Sequence, residues 1–305
     1  MMKPGAFMNA MSRFLNGRSA RLLGLGLSIA LLLLIVRALY LERHRLAQVE
    51  IDRDFLLAGA LSVFVVAIGN LSGSIASWFL LRRHSTEITI PYTIAINGLA
   101  QMAKYLPGNV LHLVGRYYLI SRLTGAKTAL VFSIFEMLLL CLAGGSLGLL
   151  YLHYLQPVAW PLPTLGLLSL LLLVTGIYVL CRTKLLNVSM TDLSMVILLY
   201  LLSFLCYGQA FDLLFSLVFD LHSVGGLLCA VLFALAFVVG YVTPGASGGI
   251  GVREFVFMVL AQPLMDSTVA VAVVIMFRFF SIAGDLVFAA LALGVRKLYH
   301  VKLLQ

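Results

Sequence analysis

Eight ionisable residues stand inside long apolar stretches of this 305-residue chain: Lys104, Arg116, Glu136, Asp212, Arg253, Glu254, Arg278 and Asp285. Four are cationic and four anionic. At membrane depth each costs at least about 2.5–3.5 kcal/mol, so each needs a partner or a wet cavity. Arg116 and Arg253 suit the capture of an anionic group, because a guanidinium meets phosphate or carboxylate through two parallel hydrogen bonds. The same arginines could instead pair with Glu136, Glu254 or Asp285 and hold helices together; a resting pair exchanged for substrate would do both. Glu136 lies near the middle of its apolar run and is the leading counter-ion. Glu136, Glu254, Asp285 and Asp212 are the acids that could gate a site or carry protons, with a hydrogen-bonded structural role the plainer reading of Asp212. Arg278 and Asp285 are two turns apart on one helix face and read as a structural pair. Arg278 also belongs with the anion-binding candidates.

A second pattern adds polar groups without charge. Thr89, Thr93, Asn97, Gln101 and Lys104 recur at steps of four, four, four and three, which places them on one stripe of a helix. Such a stripe should line water or substrate, since lipid cannot satisfy it. Asn97, Gln101 and Lys104 therefore join Arg116, Arg253 and Arg278 as candidate substrate contacts. His112 reads as a packing residue that could titrate. The four cysteines (Cys141, Cys181, Cys206, Cys229) are scattered singly without ligand spacing, so neither a metal nor a cofactor is expected.

The elements that must carry these residues are apolar helices. The chain is 62% hydrophobic and 11% charged, with a mean hydropathy of +1.07, far from a soluble domain in which about a quarter of residues are charged. The net charge of +9 reads as the loop bias of a membrane protein, not as nucleic-acid binding. Six runs are long enough to span a bilayer: 21–41, 55–81, 128–152, 162–181, 193–219 and 267–295. The first, though it follows a basic stretch, is too long for a signal-peptide core and reads as a retained helix. Glycines and serines such as Gly69, Gly73 and Ser77, or Gly144 and Gly148, read as helix–helix contacts.

Two stretches, 88–120 and 224–262, differ. Each holds an apolar piece, a proline–glycine break (Pro107-Gly108, Pro244-Gly245) and a second helical piece too short to span. In the second, Gly248, Gly249 and Gly251 loosen the break further. Each break is followed after seven residues by an arginine, Arg116 or Arg253, at an offset of 137 residues. Lysine and arginine positions favour both stretches returning to the side they came from. Cytoplasmic segments then hold Lys3, Arg13, Arg18, Arg21, Arg82, Arg83, Arg122, Lys127, Arg182, Lys184, Arg296, Lys297 and Lys302, against Arg43, Arg45 and Arg53 outside. Both termini are then cytoplasmic.

The expected architecture is an all-α polytopic membrane protein forming one domain over 1–305, with six full spans and two opposed re-entrant hairpins. Its halves, 21–152 and 162–295, form an inverted repeat, because each holds an odd number of crossings. Transporters built this way bind substrate at the repeat interface.

"AKYLPGNVLHLVGR" at 103–116, Glu136, "TPGASGGIGVRE" at 243–254 and Arg278 together resemble the lysylphosphatidylglycerol synthase transmembrane family, a flippase-like membrane domain. In that family a proline–glycine turn precedes a Gly-x-x-Glu segment, here Gly251 and Glu254, and a later arginine, here Arg278. The resemblance implies translocation of a lipid or lipid-linked substrate across the bacterial inner membrane, without an enzymatic step. The sequence carries no soluble aminoacyltransferase domain before Gln305, so synthesis of lysylphosphatidylglycerol is not expected. The expected partner is a membrane lipid with an anionic headgroup; a homodimer and a lipid-modifying enzyme partner are both compatible. Two rival readings stand beside flipping: a lipid-binding scaffold for a membrane glycosyltransferase, and an integral membrane transferase.

Overall fold

The computed structural model describes residues 40, 52–104, 111–155, 188–218, 225–243, 251–262 and 267–301, and these form eight α-helices with no strand among them. In chain order they are α1 (Arg53–Leu81), α2 (Ile90–Ala103), α3 (Leu111–Thr124), α4 (Ala126–Leu155), α5 (Met190–Val218), α6 (Gly226–Val242), α7 (Val252–Ala261) and α8 (Ser267–Leu298). Four of them, α1, α4, α5 and α8, are long and apolar enough to cross a membrane. At about 1.5 Å per residue the 29 residues of α1 exceed the roughly 30 Å hydrocarbon core. The 14, 14 and 10 residues of α2, α3 and α7 fall short of it. The long helices agree with four of the six expected spans. The runs 21–41 and 162–181 lie outside the described residues, as do Pro107, Gly108, Pro244, Gly245, Gly248 and Gly249.

Local chemistry sets the helix ends. The Asp52 carboxylate accepts a hydrogen bond from the Phe55 N–H at 2.8 Å and starts α1. The Ser189 hydroxyl accepts from the Asp192 N–H at 3.1 Å and starts α5. Thr89 caps α2, with Pro91 in its first turn, where a missing N–H costs nothing. Arg122 in the last turn of α3 and Arg296 and Lys297 in that of α8 oppose the negative helix ends.

The two halves correspond closely. α1 and α5 each run 29 residues and start 137 apart, their caps Asp52 and Ser189 do likewise, and α3 and α7 end 137 apart at Thr124 and Ala261. Exchanging α1–α4 for α5–α8 carries every well-packed helix pair onto another: α2 on α8 becomes α6 on α4, and α3 on α4 becomes α7 on α8. The helices α1 and α5 pack against each other along their length. Ser62 near the start of α1 donates to the Ala210 carbonyl, Ser72 donates to the Leu199 carbonyl, and Arg82 beyond its end pairs with Asp192 at the start of α5. α1 and α5 thus run antiparallel.

Polarity is arranged inside out. Leu56, Phe64, Leu198, Phe279 and Leu291 are exposed on the outside of the bundle, while Ser62, Asn70, Ser74, Ser77, Glu254 and Asp285 are buried within it. A water-facing surface would reverse this; a lipid-facing one requires it. Gly144 and Gly148 sit against Val238 and Leu235 of α6, and Gly69 against Cys206 and Tyr207, as small residues at helix contacts do. Gly73 meets nothing and faces the interior space instead. Cys141, Cys206 and Cys229 are free thiols. A cluster of rings (Phe211 between Phe257 at 4.3 Å and Phe277 at 3.6 Å, Tyr207 on Phe233 at 4.7 Å) locks α5 to α6, α7 and α8.

Candidate functional site

All eight helices contribute to one cavity of about 330 Å³ in the middle of the bundle. Seven of the eight embedded charges line it: Lys104, Arg116, Arg253 and Arg278, with Glu136, Glu254 and Asp285. They fall into three sets of contacts.

The first centres on the N-terminal half, with Tyr200 of α5 joining it. Arg116 on α3 grips Glu136 on α4 with both terminal nitrogens, Nη1 to Oε2 at 2.5 Å and Nη2 to Oε1 at 2.6 Å. Glu136 Oε1 also lies 2.8 Å from the Ser77 hydroxyl and accepts from Tyr200 OH at 3.1 Å. Ser77 accepts from Arg116 at 2.8 Å and from Asn97 at 3.3 Å, so its single proton is left for Glu136 or the Gly73 carbonyl. The Arg116 guanidinium also lies over the Phe132 ring. A carboxylate with both oxygens engaged by charge-assisted bonds is the strong version of an ion pair.

The second set ties the halves together. Lys104 Nζ is 2.6 Å from Asp285 Oδ2, and Asn70 Nδ2 donates to Asp285 Oδ1 at 2.8 Å. Asn70 Oδ1 accepts from Gln101 at 2.7 Å and from Tyr207 OH at 3.0 Å. One asparagine on α1 therefore joins α2, α5 and α8.

The third belongs to the C-terminal half. Glu254, at the third position of α7, reaches back to accept the Gly251 N–H at 2.6 Å. Gly251 starts that helix with φ +85°, a conformation strained for any side chain, which is why glycine stands there. The other Glu254 oxygen is 3.3 Å from Arg278 Nε.

Arg253 takes part in none of these pairs. Its guanidinium lies 4.2 Å over the Phe237 ring, Phe237 is stacked on Tyr241, and its stem fills the space left by the missing side chain of Gly240. Its Nε is buried without a hydrogen-bond partner, and no acid among the described residues pairs with it. Arg116 Nε also lacks a partner, but both Arg116 terminal nitrogens are engaged.

The sequence-derived candidates sort accordingly. Asn97, Gln101 and Lys104 line the cavity, whereas Thr89 caps α2 and Thr93 bonds the Ile90 carbonyl, so the stripe splits at Asn97. Arg278 and Asp285 do not pair with each other; each takes an oppositely charged group on another helix, Glu254 and Lys104. Asp212 lies outside the cavity, buried, accepting the Gly225 N–H at 3.0 Å at the start of α6. The expected balance of four cations and four anions thus becomes four against three among the described residues that line the cavity. Asn70, Tyr200 and Tyr207 were not singled out as functional residues from sequence. Asn70 carried a signal, a lone amide inside an apolar run; the tyrosines become polar contacts only through the fold. Among the described residues no cluster of potential ligands could hold a metal ion.

No protein-family model matches the chain, and a search of curated proteins finds no match.

Proposed function

We propose that the protein carries an anionic phospholipid or lipid-linked group across the bacterial inner membrane, with the headgroup passing through the central cavity and the acyl chains remaining in lipid. The observation that carries this reading is a cavity among apolar helices whose lining holds four cations, three acids and, among the described residues, one arginine without an acid in salt-bridge contact. A cavity of about 330 Å³ sits at the small end of ligand pockets, roughly 300–1,000 Å³, which suits a headgroup and not a whole lipid.

The arrangement of the halves supports movement as well as binding. α1 and α5 run antiparallel, and two pairs of short helices, α2–α3 and α6–α7, bring Arg116 and Arg253 to one space. Inverted repeats of this kind expose a central site to either side by rocking one half against the other. Charge supports an orientation. Arg82, Arg83, Arg122, Lys127, Arg296 and Lys297 gather at one end of the bundle, and the positive-inside rule supports assigning that end to the cytoplasm. The resemblance to the flippase-like family points the same way.

The test is leaflet exchange. Purified protein in liposomes containing phosphatidylglycerol with a fluorescent acyl chain should expose inner-leaflet label to a membrane-impermeant quencher faster than empty liposomes do. Labelled lipid bound by the protein without any exchange would overturn transport and leave the scaffold reading; formation of a new lipid from a donor would favour a transferase.

A further inference from the structure

We infer that Arg253 is the anion-binding subsite of the cavity and that it is matched to a single negative charge, the phosphodiester of a membrane lipid. The inference rests on the lipid-translocating reading above and names the headgroup chemistry it requires.

Pairing accounts for the other charges one by one. Among the described residues Asp285 pairs with Lys104, Glu136 with Arg116 and Glu254 with Arg278, which leaves Arg253 as the cavity cation with no acid in salt-bridge contact. The two halves are unequal here. Arg116 and Arg253 occupy equivalent places 137 residues apart, yet only Arg116 has a carboxylate from the long helix that follows it. A cavity symmetric in backbone is therefore asymmetric in charge.

The pose of Arg253 leaves it open to a ligand. The guanidinium carbon lies 4.2 Å from the Phe237 ring centroid, and of the N–H groups that project along the edge of the guanidinium plane the buried Nε–H has no partner. The edge is what meets two oxygens of a phosphate. A buried cation without an acid is costly, and an anion arriving there removes that cost. A monoanion leaves the cavity neutral. A phosphomonoester, close to two negative charges at pH 8, leaves it negative, and a zwitterion leaves it positive. Arg278, held to Glu254 by a contact of 3.3 Å, stands in the same cavity to support the ligand.

The experiment measures binding of lipids with matched acyl chains to the full-length protein in mixed micelles, by native mass spectrometry and by the lipid-induced shift in Tm. Phosphatidylglycerol should bind at least about tenfold tighter than phosphatidate at pH 8, about 1.4 kcal/mol, and tighter than phosphatidylcholine. At pH 5, where phosphatidate carries one charge, its disadvantage should shrink. Arg253→Gln should weaken phosphatidylglycerol binding by at least about tenfold and erase the distinction between one charge and two. Because it removes an unpaired buried cation, it should leave the Tm of the lipid-free protein unchanged or higher. Arg253→Gln binding phosphatidylglycerol as the wild type does, or melting earlier without lipid, would overturn the assignment, as would tighter binding of dianionic phosphatidate. Equal affinity for soluble glycerophosphoglycerol would overturn the lipid as its source. Leaflet exchange that persists without this selectivity would sink the subsite and leave transport standing. Selective binding without exchange would do the reverse.

Discussion

Asn70 and Tyr207 are hydrogen-bonded at 3.0 Å and stand 137 residues apart, the spacing at which α1 recurs as α5. Equivalent positions of two repeats touch only close to the axis that relates them. Asn70 is also the residue that collects Asp285, Gln101 and Tyr207, so one side chain links α1 to α2, α5 and α8. A two-fold axis cannot place different residues on equal terms. Asparagine on α1 meets tyrosine on α5, so the contact between positions at this offset joins unlike side chains.

Removing the Tyr207 hydroxyl should therefore cost little and removing Asn70 much more. Tyr207→Phe deletes the interhelical hydrogen bond to Asn70, worth about 0.6 kcal/mol in a membrane protein. Asn70→Leu strips a donor from the buried Asp285 carboxylate and an acceptor from Gln101 and Tyr207, three hydrogen bonds at about 0.5–1.5 kcal/mol each. Equilibrium unfolding in a detergent–denaturant series checks the order; equal losses would mean Asn70 is not the junction.

The long helices and the cavity charges were legible in sequence because both follow from cost. Twenty apolar residues have few places to go except a bilayer, and a charge among them must find a cavity or a partner. Who pairs with whom was not legible. Arg278 and Asp285 share a helix face, yet α7 offers Glu254 to one and α2 offers Lys104 to the other. Asp212 looked like its neighbours in composition, but its place near the end of α5 puts it beside the Gly225 N–H, a helix-start contact that no spacing within α5 reveals. Arg253 stands apart only when every acid has been assigned, which needs coordinates.

A pH dependence follows from His84, in the turn between α1 and α2. Burial holds its imidazole below the ordinary value of 6.5, outweighing an opposing contribution from the Leu81 carbonyl. The unfolded chain then takes up this proton at a higher pH than the folded one. Stability should be full above about pH 6.5 and fall as pH drops from there to the folded value, because protons favour the unfolded chain in that interval. His84→Gln should flatten this part of the profile. A Tm against pH from 7.5 to about 5 reads it, and identical slopes in both proteins would dismiss His84 as the cause.

The Arg116–Glu136 pair should behave as a unit. Arg116→Gln and Glu136→Gln each leave an opposite charge in the cavity, at about 2–4 kcal/mol; residual exposures of 19% and 12% place this below the cost in a dry core. The double variant should lose less than the sum of the singles by about 1–3 kcal/mol. Chemical unfolding of the four proteins gives the coupling. Additive losses would show that Ser77 and Tyr200, which also touch Glu136, carry its stability without the arginine.

Gly240 controls where Arg253 lies. A Cβ there would collide with Arg253 Cγ, so the stem keeps its path across α6 to the Phe237 ring only while residue 240 has no side chain. Gly240→Ala should displace the guanidinium from Phe237 and weaken phosphatidylglycerol binding, with an overpacking cost of about 1–3 kcal/mol in stability. The two changes are not independent, and their combination separates them. In Gly240→Ala/Arg253→Gln the shorter side chain has room to move aside, so part of the lost Tm should return. Affinity should fall no further than in Arg253→Gln alone, because the group that Gly240 positions is already gone. A further loss of affinity in the double variant would mean that Gly240 serves the ligand through something other than Arg253.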